Sequence, residues 1–257
     1  MNLRRGRLYG WLAASLPLAG FLAIPLLALA LSSYRNRVPI SADFLQAIFL
    51  SFKTSLLSLA VTVICGTPLA LVLARGRFRT RPLLSALVDL PIALPPAAAG
   101  IALLLAFGRN GLVSTSLGFT TGAVVAAQTF VSCPFFIRAA TSAFESADQH
   151  AEESAELDGA GPLTVFFRIL VSQTSPQLIS GAVTSWARAL GEFGATILFA
   201  GNLVGKTQTM PLAIYLGFES DFDQAVMLSV VLLGIAFFTI LAVRLLTFQG
   251  RASKIGE

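Results

Sequence analysis

Charged residues are scarce in this chain of 257 residues: Asp, Glu, Lys and Arg make up only 12% of it. Soluble globular proteins carry roughly 25%. Hydrophobic residues make up 55% of the sequence, with 20 Phe among them, and the mean hydropathy is +0.78. This composition leaves too little polar surface to cover a water-soluble body. It excludes a soluble protein with one large core and predicts an all-α integral membrane protein.

The residue types that carry hydrolytic or metal chemistry are almost absent. The sequence has one histidine, His150, and two cysteines, Cys65 and Cys133, which lie far apart within apolar runs and without metal-ligand spacing. We expect both cysteines to be buried as small hydrophobic residues. No segment matches the phosphate-binding pattern G-x-x-x-x-G-K-[ST]. The sequence therefore predicts a non-catalytic chain without a metal site and without ATP hydrolysis of its own. It also argues against an intramembrane hydrolase, because the predicted spans contain no convergent set of catalytic residues.

Six apolar runs are each about 19–25 residues long, enough to cross roughly 30 Å of hydrocarbon as a helix. Helices are required because backbone polar groups in lipid need partners within their own segment. The runs cover approximately residues 8–31, 55–74, 83–107, 122–140, 177–200 and 225–248 of a single domain, 1–257. The first run is too long for an ordinary signal peptide, so we interpret it as a retained helix.

Basic residues are distributed unequally between the two sides of the predicted bundle. Six spans place both termini on one side, and that side carries 12 of the 18 Lys and Arg residues, whereas the other side carries 5. Positive charge collects on the cytoplasmic side of membrane proteins. We therefore predict that both termini are cytoplasmic, and the net charge of +5 needs no nucleic-acid partner.

The predicted cytoplasmic loop between the fourth and fifth runs, about residues 145–172, is far longer than a tight helical connection needs. It holds six of the 13 acidic residues: Glu145, Asp148, Glu152, Glu153, Glu156 and Asp158. A plain solvated acidic loop and a structured element are both compatible with this pattern.

Local signals in this loop favour two short helices. Ser146 with Gln149 matches a capping box, and the first helix is predicted over Ala147–Asp158, ending at Gly159. The second is predicted over Leu163–Val171, after a proline suited to a first turn. The two would meet at a small-residue bend that includes Gly159.

Three charged residues fall inside the third and fifth predicted spans, where each costs roughly 2.5–3.5 kcal/mol on insertion scales. Asp89 lies in the third run, and Arg188 and Glu192 lie in the fifth. The last two are four residues apart, on one helix face, so we predict an ion pair between them. A purely structural pair and a binding site formed by Arg188 both remain open.

The fifth run also carries small and hydroxylated residues. Ala187, Gly191 and Ala195 repeat at intervals of four, a spacing that lets another helix approach closely. The hydroxyl-bearing residues of this run are Thr184, Ser185 and Thr196. Such a helix belongs in the centre of a bundle or along a water-filled path. In the third run, Pro91, Pro95 and Pro96 predict a kink, which serves either packing or gating.

The cytoplasmic loop resembles the signature of ABC importer permeases, which reads Glu-Ala-Ala, three residues, Gly, nine residues and Ile-x-Leu-Pro. Here Glu153-Ser-Ala155, Gly159 and Ile169-Leu-Val-Ser172 fit at full spacing. The chain departs from the pattern at Ser154, Val171 and Ser172. In that family the loop forms the coupling helix that docks on the ATP-hydrolysing subunit. The resemblance implies this coupling role for Glu153, Ala155, Gly159, Ala160 and Gly161.

A second resemblance concerns the substrate. The stretches Leu90–Pro96, Trp186–Asn202 and Lys206–Tyr215 are similar to those of molybdate permeases, and the likeness extends from Ser51 to Val243. Sulfate and tungstate permeases have closely related versions, so a sulfate or thiosulfate importer is the alternative. A self-contained channel or secondary transporter would not need the coupling loop.

The resemblance implies a type I ABC importer architecture with six transmembrane helices in the inner membrane. The partners it implies are a second copy of the chain, two cytoplasmic ATPase subunits that bind ATP and Mg²⁺, and an extracytoplasmic oxyanion-binding protein. Arg188, Gly191 and Glu192 would hold the central helix, and Thr184, Ser185 and Thr196 would line the path. The acids Glu219, Asp221 and Asp223 are expected on the outside, in a solvated loop or against the binding protein.

Overall fold

A computed structural model describes residues 2–35, 41–113 and 116–252, and the side chains of 14–32, 41–113 and 116–242. Within these ranges the regular structure is helical, as expected for an all-α protein. The helices are α1 Asn2–Arg35, α2 Ala42–Arg75, α3 Arg81–Ala93, α4 Pro96–Phe107, α5 Thr121–Glu145, α6 Gln149–Leu157, α7 Pro162–Thr164, α8 Val171–Leu190, α9 Gly194–Ala200, α10 Met210–Ser220 and α11 Phe222–Ala252, with a π-helical segment, Val165–Leu170, between α7 and α8.

Four of the described helices, α1, α2, α5 and α11, are long and apolar enough to cross a membrane. The bent pair α3 and α4 makes a fifth span if it is counted as one. The multi-span architecture is therefore present, whereas the number six and the cytoplasmic position of both termini stay predictions.

The third predicted span, 83–107, is not one continuous helix, because α3 and α4 meet at an angle of 117°. The bend lies at Leu94 and Pro95, which both have extended backbone, with ψ of 136°. Each of them precedes a proline, and the residue before a proline is disfavoured in the helical region. The two adjacent prolines, Pro95 and Pro96, thus explain why the chain turns sharply here.

Helix α2 is longer than predicted, since it begins at Ala42 instead of residue 55. Its first turn is capped by Ser41, whose hydroxyl accepts a hydrogen bond from Phe44 N at 3.1 Å. The sequence pattern missed this half of the helix because polar residues interrupt it. The structure buries Ser51 and Thr54 of this half, together with Ser55 and Ser58 of the predicted span, along one face of α2, towards the rest of the bundle.

Helix α5 lies at the centre of the bundle and packs against α2, α3, α4, α8 and α9. Two hydrophobic clusters share it. One, with α4 and α9, includes Leu103, Val131 and Phe199, and the other, with α2 and α3, includes Leu73, Phe136 and Phe144. Helix α1 packs against α11, and no described side chain between residues 14 and 32 is buried.

The fifth predicted span, 177–200, is divided into α8 and α9 by a break at 191–193. Helix α10, in a stretch read from the sequence as a loop, follows a turn after α9. Its residue Met210 is anchored to α2, since Met210 N donates to Ser51 Oγ at 2.6 Å.

The expectation that both cysteines are buried is wrong for Cys65, which is exposed on α2, and Cys133 is only half-buried.

Candidate functional site

The loop after α5 is a structured element, and its first helix, α6, spans Gln149–Leu157. The predicted capping box is wrong, because the residue that caps the helix is Asp148, whose carboxylate accepts from His150 N at 3.0 Å. Ser146 instead ends the preceding helix and donates its hydroxyl to Ala143 O. Asp148 suits the N-cap position since a carboxylate satisfies a free N–H group and complements the helix dipole.

Helix α6 ends as predicted at Gly159, which has a φ of +85°. Gly159 N donates to Glu156 O at 3.0 Å, and Ala160 N donates to Ala155 O at 2.9 Å. These two bonds form a Schellman motif, which requires a left-handed residue at the position of Gly159. The signature residues Ala155, Gly159 and Ala160 therefore shape the end of this helix, and Gly161 precedes the first turn of α7.

The second predicted helix, Leu163–Val171, is not a separate element. Helix α7 continues through the π-helical segment into α8, so the chain is helical from Pro162 to Leu190. Three large apolar side chains of this region are exposed: Leu157 (89%), Leu163 (74%) and Phe167 (63%). We call these three residues the apolar cluster. Large apolar side chains this exposed on an otherwise polar loop are typical of a protein-binding surface.

The opposite side of the loop is attached to the bundle by ion pairs. Arg75 at the end of α2 lies 2.7 Å from Glu152 Oε1, and Arg81 at the start of α3 lies 2.7 Å from Glu145 Oε1. Glu153, which the sequence singled out, is 68% exposed, and its Oε2 lies 3.8 Å from Nδ1 of His150. Adjacent carboxylates of α6 thus face different ways, Glu152 towards the bundle and Glu153 towards solvent.

Asp89 of α3 also has a partner that the sequence analysis missed. The Arg138 guanidinium donates to both carboxylate oxygens of Asp89, and it donates to Ser85 Oγ at 2.7 Å and to Ser85 O at 2.9 Å. The ion pair fixes α3 to α5 on the near side of the 117° bend, so the bent pair is held at a defined place in the bundle.

Helix α8 has a polar exposed face, unlike the apolar helices around it. Gln173, Gln177 and Thr184 are exposed along it, and Ser180 and Arg188 are half-buried. The one large apolar side chain that the described α8 exposes is Ile179. We call this face the polar stripe. Polar side chains in a membrane face protein or water rather than lipid, so the stripe is suited to an aqueous path or a subunit contact.

The predicted ion pair lies at the break between α8 and α9. Arg188 Nη1 is 2.7 Å from Glu192 Oε2, and Glu192 Oε1 accepts a hydrogen bond from Ala195 N at 2.8 Å. Arg188 is in the last turn of α8 and Glu192 precedes the first turn of α9. The positive charge thus lies at the negative end of the α8 dipole and the negative charge at the positive end of the α9 dipole, and both arrangements are favourable. The carboxylate of Glu192 is only 1% exposed, whereas the Arg188 side chain is 32% exposed.

The remaining predicted residues of this region fall into two groups. Thr184 and Gly191 are exposed on the same side as Arg188. Ser185 is buried and donates to Ser132 O at 2.9 Å, and Thr196 is fully buried in α9. The break also interrupts the predicted small-residue face, because Gly191 ends α8 while Ala195 packs against Gly100 of α4.

The cytoplasmic loop and the α8–α9 segment both lie in the part of the chain that one family model matches. The model of the binding-protein-dependent transport system inner membrane component matches residues 66–252, which include the loop, α8 and α9. The chain belongs to this family. Its members are multi-pass inner-membrane proteins, in agreement with the apolar helices described above.

Curated relatives from this family include molybdenum transport permeases. The chain is 42% identical to the molybdenum transport system permease protein ModB of Mycobacterium tuberculosis over 87% of its own length and 88% of the relative. It is 40% identical to ModB of Escherichia coli over 66% of its length and 78% of that protein. It is also 40% identical to the probable transport system permease protein NifC of Clostridium pasteurianum, over 79% and 74% of the two chains.

Solved structures of ABC transporters have the same fold. A chain of a bacterial ABC transporter involved in the import of the acidic polysaccharide alginate matches with a TM-score of 0.71 at 19% identity, over 95% of this chain and 99% of the other. A chain of the inward-facing MetNI methionine ABC transporter matches with a TM-score of 0.61 at 19% identity, over 82% and 98%.

Proposed function

We propose that this chain is the membrane-spanning subunit of an ATP-driven ABC importer for molybdate or tungstate. The observation that carries the transport role is the polar stripe of α8, whose helix continues without a break from Leu163 and Phe167 of the apolar cluster. A single helical rod would thus link a docking surface in the cytoplasm to a polar surface within the membrane. The oxyanion is inferred from the relatives, since the ModB proteins named above are molybdenum permeases.

Two copies of the chain would form the path. A subunit with a polar face inside a bilayer has to cover that face, and a second copy related by a twofold axis does so with the same residues. Thr184, Arg188 and Gly191 would then line the path between the copies. Ser185, Glu192 and Thr196 would instead hold α8 and α9 from within each subunit.

The apolar cluster would dock on a cytoplasmic ATPase that binds ATP and Mg²⁺, while this chain binds neither. Glu153 faces away from the bundle and is available to a basic residue of that partner. Arg75 and Glu152 would carry a movement of α6 into α2 and the rest of the bundle. An extracytoplasmic protein would deliver the oxyanion, and Glu219 at the end of α10 is one candidate contact for it.

The experiment that tests the proposal is ATP-driven uptake in proteoliposomes that contain this chain, its ATPase and its binding protein. Molybdate, tungstate and sulfate are supplied separately, and parallel vesicles lack ATP. We expect uptake of molybdate and tungstate that depends on ATP. A preference for sulfate would change the proposed substrate but leave the assignment as an ATP-driven importer intact. Equal flux without ATP would reject the importer assignment in favour of a channel or secondary transporter.

A matched pair of glycine variants tests the coupling loop in the same vesicles. Valine at Gly159 would have to adopt a φ of +85°, which is strongly disfavoured for a β-branched residue. Asparagine at the same position would not be strained in this way, because asparagine adopts a positive φ far more readily, and no atom lies within 4 Å of a Cβ added at Gly159. We therefore expect Gly159→Val to lose uptake and Gly159→Asn to retain it. Equal uptake by both variants would argue against a coupling role for the end of α6.

A further inference from the structure

The side chain of Arg188 is more exposed than that of its partner Glu192. Both oxygens of Glu192 are engaged, one by Ala195 N and one by Arg188 Nη1, and the carboxylate is buried. A guanidinium has five N–H donors, and Glu192 is the one partner that Arg188 has among the described residues. The Arg188 side chain is 32% exposed beside the polar stripe. Donors thus remain for a ligand from the exposed side.

If two copies of the chain form the path, as proposed above, twofold symmetry places two partly exposed Arg188 side chains in it. Every residue on the path then occurs twice, at equal distances from the axis. Two copies of Arg188 bring two positive charges to the same level of the path. Molybdate and tungstate are tetrahedral dianions with four acceptor oxygens, and arginine is the side chain best suited to bind such oxygens through paired N–H groups.

We propose that Arg188 of both copies contacts the oxyanion directly as it passes, so that Arg188 is the residue by which the path selects a dianion. This inference rests on the proposed function and adds a substrate contact to it. Glu192 holds the guanidinium beside the polar stripe, because its carboxylate lies 2.7 Å from Arg188 Nη1.

The test compares Glu192→Gln with the double variant Arg188→Gln/Glu192→Gln. Both variants lack the buried carboxylate, and a glutamine at 192 retains an oxygen for Ala195 N. They differ only in the guanidinium. Each is reconstituted with the ATPase and the binding protein, and two quantities are measured: molybdate uptake and the stimulation of ATP hydrolysis by the loaded binding protein.

We expect Glu192→Gln to retain uptake within about threefold, because the guanidinium is still present. The double variant should lose at least about tenfold in uptake, the scale of a charge-assisted hydrogen bond. Both variants should keep the stimulation of ATP hydrolysis. If the ion pair is merely structural, the double variant should take up molybdate at least as well as Glu192→Gln, because removal of both charges restores a neutral interior. Equal uptake by the two variants would therefore overturn the inference.

Two further outcomes are distinguishable. If Glu192→Gln fails to fold, Arg188→Lys gives the answer, because it keeps the charge and the ion pair but loses the planar fork. A loss of at least about threefold in uptake with normal ATP hydrolysis would then support the contact, and unchanged uptake would reject it. If the unaltered complex takes up no oxyanion at all, the proposed function fails and this inference falls with it.

Discussion

At the scale of single residues, glycines decide how closely helices approach one another. A methyl group added to Gly181 of α8 would lie 2.5 Å from the Cβ of Ala139 on α5, whereas one added to Gly234 of α11 would meet no atom within 4 Å. We expect Gly181→Ala to destabilise the protein by about 1–3 kcal/mol through overpacking. Gly234→Ala should be neutral or stabilising, since alanine favours the helix by up to about 1 kcal/mol.

Thermal unfolding of the two glycine variants in the same detergent measures this difference. The midpoint should fall for Gly181→Ala and stay level or rise for Gly234→Ala. Equal midpoints would mean that α5 and α8 separate enough to admit the methyl group, and the tight α5–α8 contact would then not be a fixed feature of the fold.

The ion pair between Asp89 and Arg138 is the second feature at this scale. Asp89→Asn leaves Arg138 without its charged partner, and the side chains of Asp89 and Arg138 are 47% and 37% exposed. The same substitution in an Arg138→Gln background removes no ion pair. We expect a coupling energy of at least about 0.5 kcal/mol in the double-mutant cycle, the range found for residues in direct contact. Thermal unfolding of the four proteins gives this value, and additive effects would show that α3 is held to α5 by apolar packing alone.

At the scale of the element, α6 presents two neighbouring carboxylates with different surroundings. Glu152→Gln removes the contact to Arg75 inside the subunit, so the ATPase should still bind while less uptake is obtained per ATP. Glu153→Gln changes only an outward-facing group, so any effect should appear in the affinity for the ATPase. Both effects should be several-fold at most, since the Arg75–Glu152 pair is still partly open to solvent and Glu153 is 68% exposed.

Co-purification and the ratio of uptake to ATP hydrolysis separate the two glutamate variants. Weaker ATPase binding by Glu152→Gln, with an unchanged ratio, would contradict the assignment of Glu152 to the inner side of the loop. Leu157→Asp serves as a positive control in this experiment, because a charge in the apolar cluster should abolish binding of the ATPase.

The elements differ in how far the sequence could predict them. Spacing alone identified the Arg188–Glu192 pair and the end of α6 at Gly159, because both depend on neighbours within one or two turns. The pair of Asp89 and Arg138 could not be found in this way, since the two residues are 49 positions apart in the sequence. The first half of α2 was missed because Ser51, Thr54 and similar residues look like a loop until the bundle that buries them is known.

The bent α3–α4 pair is an intermediate case. Three prolines predicted a kink in the third span, and two of them, Pro95 and Pro96, lie at the bend. The angle of 117° depends on what each arm packs against. Arg138 fixes α3 to α5, and α4 packs on α9, where Gly100 comes close to Ala195. Local chemistry therefore sets the place of the bend, and tertiary contacts set its size.

At the scale of the whole molecule, the polar stripe predicts how two copies meet. In a protein without Cys65 and Cys133, Thr184→Cys should form cross-linked dimers in the membrane under oxidation, because Thr184 lies on the stripe. Ile64→Cys is the control, since Ile64 is 72% exposed on an apolar helix and should face lipid. Gel electrophoresis without reducing agent gives the result, and equal cross-linking at the two sites would argue against a dimer formed through α8.

The polar stripe also bears on how the protein is made. A helix with Gln173, Gln177 and Arg188 on its open side gains little by entering lipid alone, so α8 should leave the insertion machinery together with its neighbours α5 and α11. A newly made copy that meets no second copy keeps this side exposed to the bilayer. Cellular levels of the chain should therefore follow those of its assembly partners, with the surplus removed by membrane proteases.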